Sequence, residues 1–349
     1  MAGRPWGYGA GMANGSPLHF TVDGQTIRVT SPDKPFFPGV SKGDVALYYL
    51  SVGDRMIEHL RNRPTVLERW PDGVVDGGES FYQKHMPKSV PSFVQGCEIR
   101  FPSGRTGHLI MPTSPAVIVW AAQMSTVTFH PWPSAEPTTD LPDQLRLDFD
   151  PAPGTGFADA VRAAGIAREV LDLWSWPSYV KTSGGRGVHV YVPIIPRYSF
   201  VEVRHAAIAI GREIERRDPE LVTMSWWKEE RGPRVFIDYN QNAQDRTMAS
   251  AFSVRANVHA TVSMPIDWPE LATCSPLDFT IATVGAIVAS GSWMDPWSGM
   301  AERAVDLSPA LEAWNRDFSK GLPELPYPPD FPKMPGEPPR VQPSRMRQA

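Results

Sequence analysis

The chain has 349 residues, 42% of them hydrophobic, and a net charge of −4. This length suits about two structural units, and the charge argues against indiscriminate binding to nucleic acid. It has two cysteines without metal-ligand spacing and no secretory leader, which predicts a cytoplasmic protein. Residues 279–294, the longest uncharged stretch, are too short to span a membrane and predict a buried helix followed by a turn.

The N-terminal part of the chain predicts a flexible tail and then a helix. Residues 1–17 are rich in Gly and Pro and lack periodicity. Ser41–Arg61 has helical apolar spacing and begins with Ser41-Lys42-Gly43-Asp44, an N-cap followed three residues later by an acid. Lys42 therefore lies at the positive end of a helix dipole, where phosphates bind well. An ordinary solvated lysine is the alternative interpretation.

Apolar and polar residues alternate in Leu145-Arg146-Leu147-Asp148-Phe149-Asp150, which is the period of a half-buried strand. Asp148 and Asp150 would then project from one face, about 6 to 7 Å apart at the backbone. Their carboxylates can converge on a pair of divalent ions. A chance pair of surface acids is the alternative for an isolated Asp-x-Asp. Helical spacing follows over Phe157–Trp174.

A glycine-rich loop in residues 181–192 carries Ser183 and Arg186 and leads into a strand with His189. Glycines let backbone N–H groups approach phosphate oxygens, and the hydroxyl, guanidinium and imidazole add donors around one anion. The loop therefore predicts a triphosphate cradle. A glycine-rich hairpin with a surface arginine is the alternative, and His189 is either a ligand contact or a structural hydrogen-bonding residue.

The last predicted elements of the body are a helix and a strand. Ser199–Arg217 has helical spacing and a capping box formed by Ser199 and Glu202. The apolar run of residues 234–239 then contains Asp238, either a third metal-binding carboxylate or a residue that begins a turn. The Pro-rich residues 320–349 predict a tail that extends over the protein, recruits a partner or stays disordered.

The three polar stretches, in this order, resemble the three motifs of the archaeo-eukaryotic primase superfamily, and most closely the polymerase domain of bacterial DNA ligase D. The resemblance extends from about Phe20 to Trp314 and includes residues 31–38, 65–73, 81–85 and 252–255. It implies an α/β (α+β) fold of two modules. Residues 18–140 would form an N-terminal α/β module with DNA-binding loops, and residues 141–319 an RRM-like catalytic sheet flanked by helices.

The resemblance also implies roles for individual residues. The catalytic residues, which would bind two divalent ions with manganese favoured over magnesium, are Asp148, Asp150 and Asp238. The residues expected around the incoming nucleotide are Ser183, Arg186, His130, Arg231, Arg255 and His189. Two lysines, Lys34 and Lys42, would bind the 5′-phosphate across a DNA gap. Two aromatic residues, Phe81 and Tyr82, would stack on template bases, although strand core is their ordinary role.

Three features depart from the family pattern. Glu68 stands where the family often has a lysine, so that nucleotide affinity or choice could differ. Arg186 replaces a common lysine and brings a bidentate fork instead of a point charge. Residues 97–108 resemble a surface hairpin that the family uses on DNA ends, but the sequence is not close enough to imply end bridging.

The implied function is a template-dependent nucleotidyltransferase that fills short gaps or extends ends in DNA repair, recognises a downstream 5′-phosphate and favours ribonucleotides. Implied partners are gapped or end DNA, an NTP or dNTP, and a separate ligase or end-binding repair protein. The chain lacks a Lys-x-Asp-Gly ligase motif, so a stand-alone, monomeric, nucleoid-associated bacterial enzyme is expected. A metal-dependent phosphohydrolase or nuclease stays open because carboxylate clusters serve both chemistries, as does a non-catalytic DNA-end-binding repair scaffold.

Overall fold

A computed structural model describes residues 15–346; residues 1–14 of the predicted N-terminal tail and residues 347–349 of the Pro-rich segment lie outside the described residues. The strands are β1 (Leu18–Val22), β2 (Gln25–Val29), β3 (Pro35–Phe37), β4 (Val40–Ser41), β5 (Thr65–Arg69), β6 (Phe81–Gln83), β7 (Gln95–Arg100), β8 (Thr106–Met111), β9 (Thr126–Pro131), β10 (Gln144–Pro151), β11 (Tyr179–Thr182), β12 (Val188–Pro193), β13 (Val222–Thr223), β14 (Val235–Ile237) and β15 (Pro265–Ile266). The helices are α1 (Lys42–Leu60), α2 (Pro115–Gln123), α3 (Phe157–Asp172), α4 (Phe200–Arg217), α5 (Lys228–Arg231), α6 (Trp268–Leu271), α7 (Ile281–Ala289), α8 (Ser308–Ser319) and α9 (Pro343–Met346).

The larger sheet has six strands in the order β13-β14-β10-β12-β11-β15, and only β13 and β14 are parallel neighbours. Helices α3 and α4 pack on one of its faces. Leu145, Leu147 and Phe149 on β10 are fully buried, which confirms the alternation read from the sequence. Since side chains alternate along a strand, Asp148 and Asp150 point to the opposite face.

The second sheet contains β5 to β9, with β5 at its centre, paired to β6, β8 and β9. Two buried hydrogen bonds join this part of the chain to the loop before β15. The Thr128 hydroxyl, on β9, donates to the Val254 carbonyl (2.8 Å), and the Tyr48 hydroxyl, on α1, donates to the Phe252 carbonyl (2.8 Å). One continuous apolar core includes residues of both sheets. The two sheets therefore stand in a fixed relation. The space between Asp148 on one sheet and Glu68 on the other, where the charge of Arg255 acts on both carboxylates, is here called the cleft.

The predicted helices are found with small differences. Ser41 and Ser199 cap α1 and α4, each in a capping box with the acid three residues later. Helix α3 ends at Asp172, two residues before the predicted end. The hairpin predicted in residues 97–108 is formed by β7 and β8. The boundary proposed at residues 140/141 stays a prediction.

The helix and the following turn predicted within residues 279–294 are found, but the prediction that the helix is buried is wrong for most of its residues. Helix α7 covers only Ile281–Ala289, and only Ile281, Val284 and Gly285 of it are buried. Gly291, with a φ of 69°, adopts the left-handed conformation that commonly ends helices. Because the residues of this segment are uncharged and lack a polar face with helical spacing, the sequence did not show that one side of α7 faces solvent. In residues 15–346, no helix combines the length and apolar character needed to cross a membrane.

Candidate active site

Two of the predicted catalytic carboxylates lie side by side at the centre of the six-stranded sheet. Asp148 is on β10, and Asp238 directly follows β14, the neighbouring strand. The Asp238 backbone N–H donates to the Asp148 carbonyl at 2.9 Å. Gln241, on the short 3₁₀ turn of Tyr239–Asn242, donates through Nε2 to Asp238 Oδ2 (3.1 Å) and Asp148 Oδ2 (3.4 Å). One amide thus links the two carboxylates.

This arrangement makes the carboxylates weaker acids. Burial, partly offset by the positive charges of Lys181 and Arg255, raises the pKa of Asp148 to about 6. Burial together with the negative charge of Asp148 raises the pKa of Asp238 to about 7. Asp150 lies at the end of β10, where its side chain reaches solvent. Partial burial of its carboxylate and the negative charge of Asp148 still raise its pKa. Paired acids with raised pKa values are typical of metal-binding and catalytic sites.

The carboxylates fit a divalent cation that substrate helps to hold. No three His, Cys, Asp or Glu side chains among the described residues form a preformed metal site. Mg²⁺-type ions at nucleotide sites are commonly bound by one or two carboxylates, with phosphates and waters completing the shell. Asp148 and Asp238 supply such a pair. Participation of Asp150, on the same face of β10, stays a prediction.

We expect Asp238→Asn to stabilise the metal-free protein at neutral pH. An acid whose pKa is about 7 when folded, against 3.8 normally, binds more protons folded than unfolded, so it costs stability as pH rises from about 4 to about 7. The amide removes this cost. Thermal unfolding in EDTA should show a gain of about 4 kcal/mol near pH 7.5 that vanishes near pH 4.

The same protonation opposes cation binding, because metal ligands must be deprotonated. Apparent manganese affinity of the unmodified protein should therefore rise as pH increases through the two pKa values, about 6 and about 7. An unchanged or lower melting temperature for Asp238→Asn at neutral pH would contradict this electrostatic description.

The glycine-rich loop, residues 183–187, borders the carboxylates. Ser183 Oγ accepts hydrogen bonds from the N–H groups of Gly185 and Gly187, both at 3.1 Å, so its own proton remains free to donate. Gly184 has a φ of 72°, and a Cβ there would collide with the Arg255 side chain. The loop therefore depends on glycine at this position. It connects the antiparallel strands β11 and β12, so its role as a triphosphate cradle stays a prediction. Arg186 is exposed and donates to the Pro151 carbonyl at 3.1 Å.

Arg255 is the cation best placed between the two sheets. Its charge lowers the pKa of Asp148, Glu68 and Lys181, which belong to both walls of the cleft. Among residues 15–346, its guanidinium forms no hydrogen bond or ion pair; its backbone N–H donates to the Thr261 carbonyl (2.7 Å), and its own carbonyl accepts from the Asn257 N–H (2.8 Å). A guanidinium without a partner has donors free to bind an anion.

Arg231 is also close to the acids but is more constrained. Its guanidinium stacks 3.5 Å from the ring centre of Phe236 and donates to the carbonyls of Ser225 (3.1 Å) and Trp226 (2.8 Å). Asp238 and Asp150 act electrostatically on it. Its predicted contact with phosphate would therefore depend on its charge and on the guanidinium N–H groups that do not bond these two carbonyls.

His189 lies in a buried network, which fits the structural hydrogen-bonding role left open from the sequence, but its partners were not predicted. The register places Asp148 opposite His189, and His189 opposite Lys181. Lys181 Nζ lies 2.7 Å from His189 Nδ1 and donates to the Ser263 hydroxyl, and His189 Nε2 lies 3.4 Å from Asp148 Oδ1. Burial, with the charge of Lys181, lowers the pKa of His189. A neutral imidazole with its proton on Nε2, toward Asp148, satisfies this network.

The opposite wall carries Glu68, His130 and Tyr82, which share one face of the second sheet. Glu68 Oε2 lies 3.3 Å from His130 Nε2, and Glu68 Oε1 accepts from the Trp70 indole at 3.2 Å. Burial raises the pKa of Glu68, but the hydrogen bond from His130 and the charge of Arg255 outweigh it, so that the pKa lies below its usual value. The departure at Glu68 thus places an ionised acid, held by His130, in the cleft.

The predicted DNA contacts cluster beside this wall. Phe81 and Tyr82 are 44% and 56% exposed, so neither is strand core. Lys34 donates to the Pro71 carbonyl (2.7 Å) and pairs with Asp72, and Lys42 donates to the Thr30 carbonyl (3.0 Å). Burial and the charges of Lys34 and Arg69 lower the pKa of Lys42 to about 8. Arg69, which sequence reasoning missed, adds a third cation to this group.

Comparison with known proteins now decides the family. Residues 41–297 match the family described as the LigD primase-polymerase domain. The chain belongs to this family. It is 31% identical over 252 residues to the multifunctional non-homologous end joining protein LigD of Mycolicibacterium smegmatis, covering 71% of the chain and 33% of that relative. The bifunctional LigD of Bacillus subtilis is 30% identical over 262 residues, covering 74% of the chain and 42% of that relative.

A solved structure agrees with the LigD assignment. The polymerase domain from Mycobacterium tuberculosis ligase D in complex with DNA has a TM-score of 0.72 and 27% sequence identity, over 80% of this chain and 99% of that domain. The expected resemblance and the α/β fold are therefore confirmed. LigD polymerase domains are metal-dependent enzymes of the nucleotidyltransferase type in end-joining repair. The chain spans about a third of the length of the first relatives it matches, 33% and 34%.

Proposed function

We propose that this protein is a template-dependent nucleotidyltransferase that fills short gaps or extends ends of DNA, with recognition of a downstream 5′-phosphate and a preference for ribonucleotides with manganese. Its substrates would be gapped or end DNA and an NTP or dNTP. The observation that carries the proposal is the unpaired Arg255 guanidinium, whose side chain packs against Gly184 of the glycine-rich loop and whose charge acts on the carboxylate of Asp148. A cation site and an anion site this close suit a metal-bound triphosphate.

The residues suggest how the reaction would proceed. Asp148, Asp238 and Asp150 would hold the cations, which lower the pKa of a primer hydroxyl and offset charge on the departing pyrophosphate when bound. Ser183, Arg186 and Arg255 would orient the triphosphate. His189, fixed by Lys181, would donate a hydrogen bond from Nε2 toward Asp148 and the neighbouring nucleotide. Glu68 and His130 would face the nucleotide from the other wall.

Template and gap recognition would use the second sheet. The exposed rings of Phe81 and Tyr82 offer stacking surfaces, and base stacking on an aromatic ring contributes about 1 to 3 kcal/mol. Lys34, Lys42 and Arg69 concentrate positive charge at the N-terminus of α1, where the helix dipole also favours an anion. These features support a phosphate-specific site, because the net charge of −4 does not favour general DNA binding.

The test is primer extension on a duplex with a short gap, with or without the 5′-phosphate, offering NTPs or dNTPs with manganese or magnesium. Templated addition that the phosphate stimulates is expected. Hydrolysis of nucleotide or DNA without extension would instead identify a phosphohydrolase, and DNA binding without turnover a scaffold.

We expect Lys42→Ala to lower the rate of gap filling on 5′-phosphorylated gaps by about tenfold while leaving the rate on unphosphorylated gaps intact. Because burial lowers the pKa of Lys42 to about 8, stimulation in the unmodified protein should also decline as pH rises through that value. Gap-filling rates on matched substrates measure both effects. Lys320→Ala, on an exposed position after α8, is the control. Equal stimulation in the two variants would rule out Lys42 as the phosphate contact.

A further inference from the structure

Residues 322–346, here called the C-terminal strap, lie beyond the residues that match the LigD family, 41–297. The strap runs over the six-stranded sheet's helical layer instead of standing free: Glu324, Tyr327 and Glu337 are buried. Glu337 folds the strap on itself, since its carboxylate accepts from the N–H groups of Tyr327 (2.9 Å) and Met334 (3.0 Å) and from Arg340 (2.8 Å). The sequence left open a tail that extends over the protein, recruits a partner or stays disordered. The contacts of the strap agree with the first of these, a tail that extends over the protein.

A buried arginine on α4 anchors the strap. Arg204 has no exposed surface, and its guanidinium lies 3.6 Å from the ring centre of Tyr327. Four oxygens accept its hydrogen bonds: Asn240 Oδ1 (2.8 Å), Glu324 Oε1 (2.7 Å), the Leu325 carbonyl (2.8 Å) and the Pro326 carbonyl (3.1 Å). Three of these belong to the strap and one to the turn that follows Asp238.

The Pro326 carbonyl ties the strap to that turn directly. Besides Arg204, it accepts from Asn240 Nδ2 (3.0 Å) and from the Tyr239 hydroxyl (3.3 Å). All three donors are buried. A buried donor that loses its acceptor costs free energy, so the strap and the turn hold each other in one conformation.

The turn of Tyr239–Asn242 also orients Asp238, the candidate metal ligand. The Asn240 backbone N–H donates to Asp238 Oδ1 at 3.0 Å, and Gln241 donates to Asp238 Oδ2 at 3.1 Å. Both Asp238 oxygens therefore accept hydrogen bonds from this turn, and Asn240 is the turn residue that joins Asp238 to the strap. Groups that hydrogen-bond a ligating carboxylate typically change metal affinity when removed.

We propose that the C-terminal strap is a positioning element of the active site, which orients the Asp238 carboxylate for a divalent cation through Pro326, Arg204 and Asn240. This inference rests on the proposed function, because it takes Asp238 as a metal ligand. It predicts that the catalytic unit of this protein includes residues beyond the LigD family match.

The test uses full-length variants and manganese ions alone, followed by the EPR signal of free Mn²⁺ and by thermal unfolding. Asn240→Ala cuts the link between turn and strap, and Tyr327→Ala loosens the strap over Arg204 without touching the turn. Both should weaken manganese binding by about 10- to 100-fold. Lys333→Ala, exposed on the same strap, should leave it unchanged.

A lower melting temperature with unchanged manganese affinity in both variants would overturn the proposal, because the strap would then act on stability alone. Asp148→Ala separates this failure from failure of the proposed function. If manganese binding persists in full without the Asp148 carboxylate, both the site and the role of the strap are refuted. If Asp148→Ala abolishes binding while Asn240→Ala and Tyr327→Ala do not affect it, the proposed function stands and only the strap's role is lost.

Discussion

Polymerisation by the Asp148→Asn protein should fall by about 1000-fold or more while the fold is retained. Asparagine has the size of aspartate but lacks the charge that binds a cation. The native carboxylate is already destabilised by burial, which raises its pKa to about 6. Neutralising it therefore removes the charge that would bind a cation, and it also removes the free-energy cost of burying that charge. Single-turnover primer extension with manganese measures the loss, and circular dichroism and thermal unfolding check the fold.

Asp172→Asn is the matched control, because that acid is exposed at the end of α3. It should extend primers at the rate of the unmodified protein. Substantial polymerisation by Asp148→Asn would refute the assignment of the site, whereas loss in both variants would indicate a general defect.

The sequence predicted those parts of the site that depend on local pattern. Alternation in residues 145–150 is enough to put Asp148 and Asp150 on one face, since the opposite residues Leu145, Leu147 and Phe149 are all buried. The capping boxes of α1 and α4 are likewise local, because each joins residues three apart. The glycine-rich loop was recognisable from its composition, and the structure gives a reason for one of its glycines, because Gly184 has a positive φ and leaves no room for a Cβ.

The sequence could not predict contacts that tertiary packing creates. Gln241 meets Asp148 from 93 residues away, and Lys181 reaches Ser263 from 82 residues away. No spacing rule marks either residue. The strap is a stronger case: its Pro-rich composition is typical of disorder, yet the Pro326 carbonyl is an acceptor for three buried donors. Helix α7 shows the converse, because an apolar composition did not indicate which face would be buried.

The second large effect concerns Arg255. Removal of its guanidinium in Arg255→Ala should lower kcat/KM for the nucleotide about 100-fold, because charge-assisted hydrogen bonds to phosphate contribute about 2 to 3 kcal/mol in a partly buried site. Arg255→Lys keeps the charge but loses the bidentate fork, so it should recover part of the loss. Steady-state extension at varied nucleotide concentration separates effects on KM from effects on kcat.

The environment of Arg255 makes this outcome specific to the nucleotide. No described residue pairs with its guanidinium, so the substitution breaks no structural ion pair, and the melting temperature should change little. Arg316→Ala is the matched control, because Arg316 is on α8, 62% exposed and only loosely paired with Glu312 at 4.0 Å. DNA affinity, measured by fluorescence anisotropy without nucleotide, should be equal in both variants. An Arg255→Ala protein with normal kcat/KM would mean that the triphosphate binds elsewhere. The unpaired Arg255 guanidinium would then bind a different anion or none.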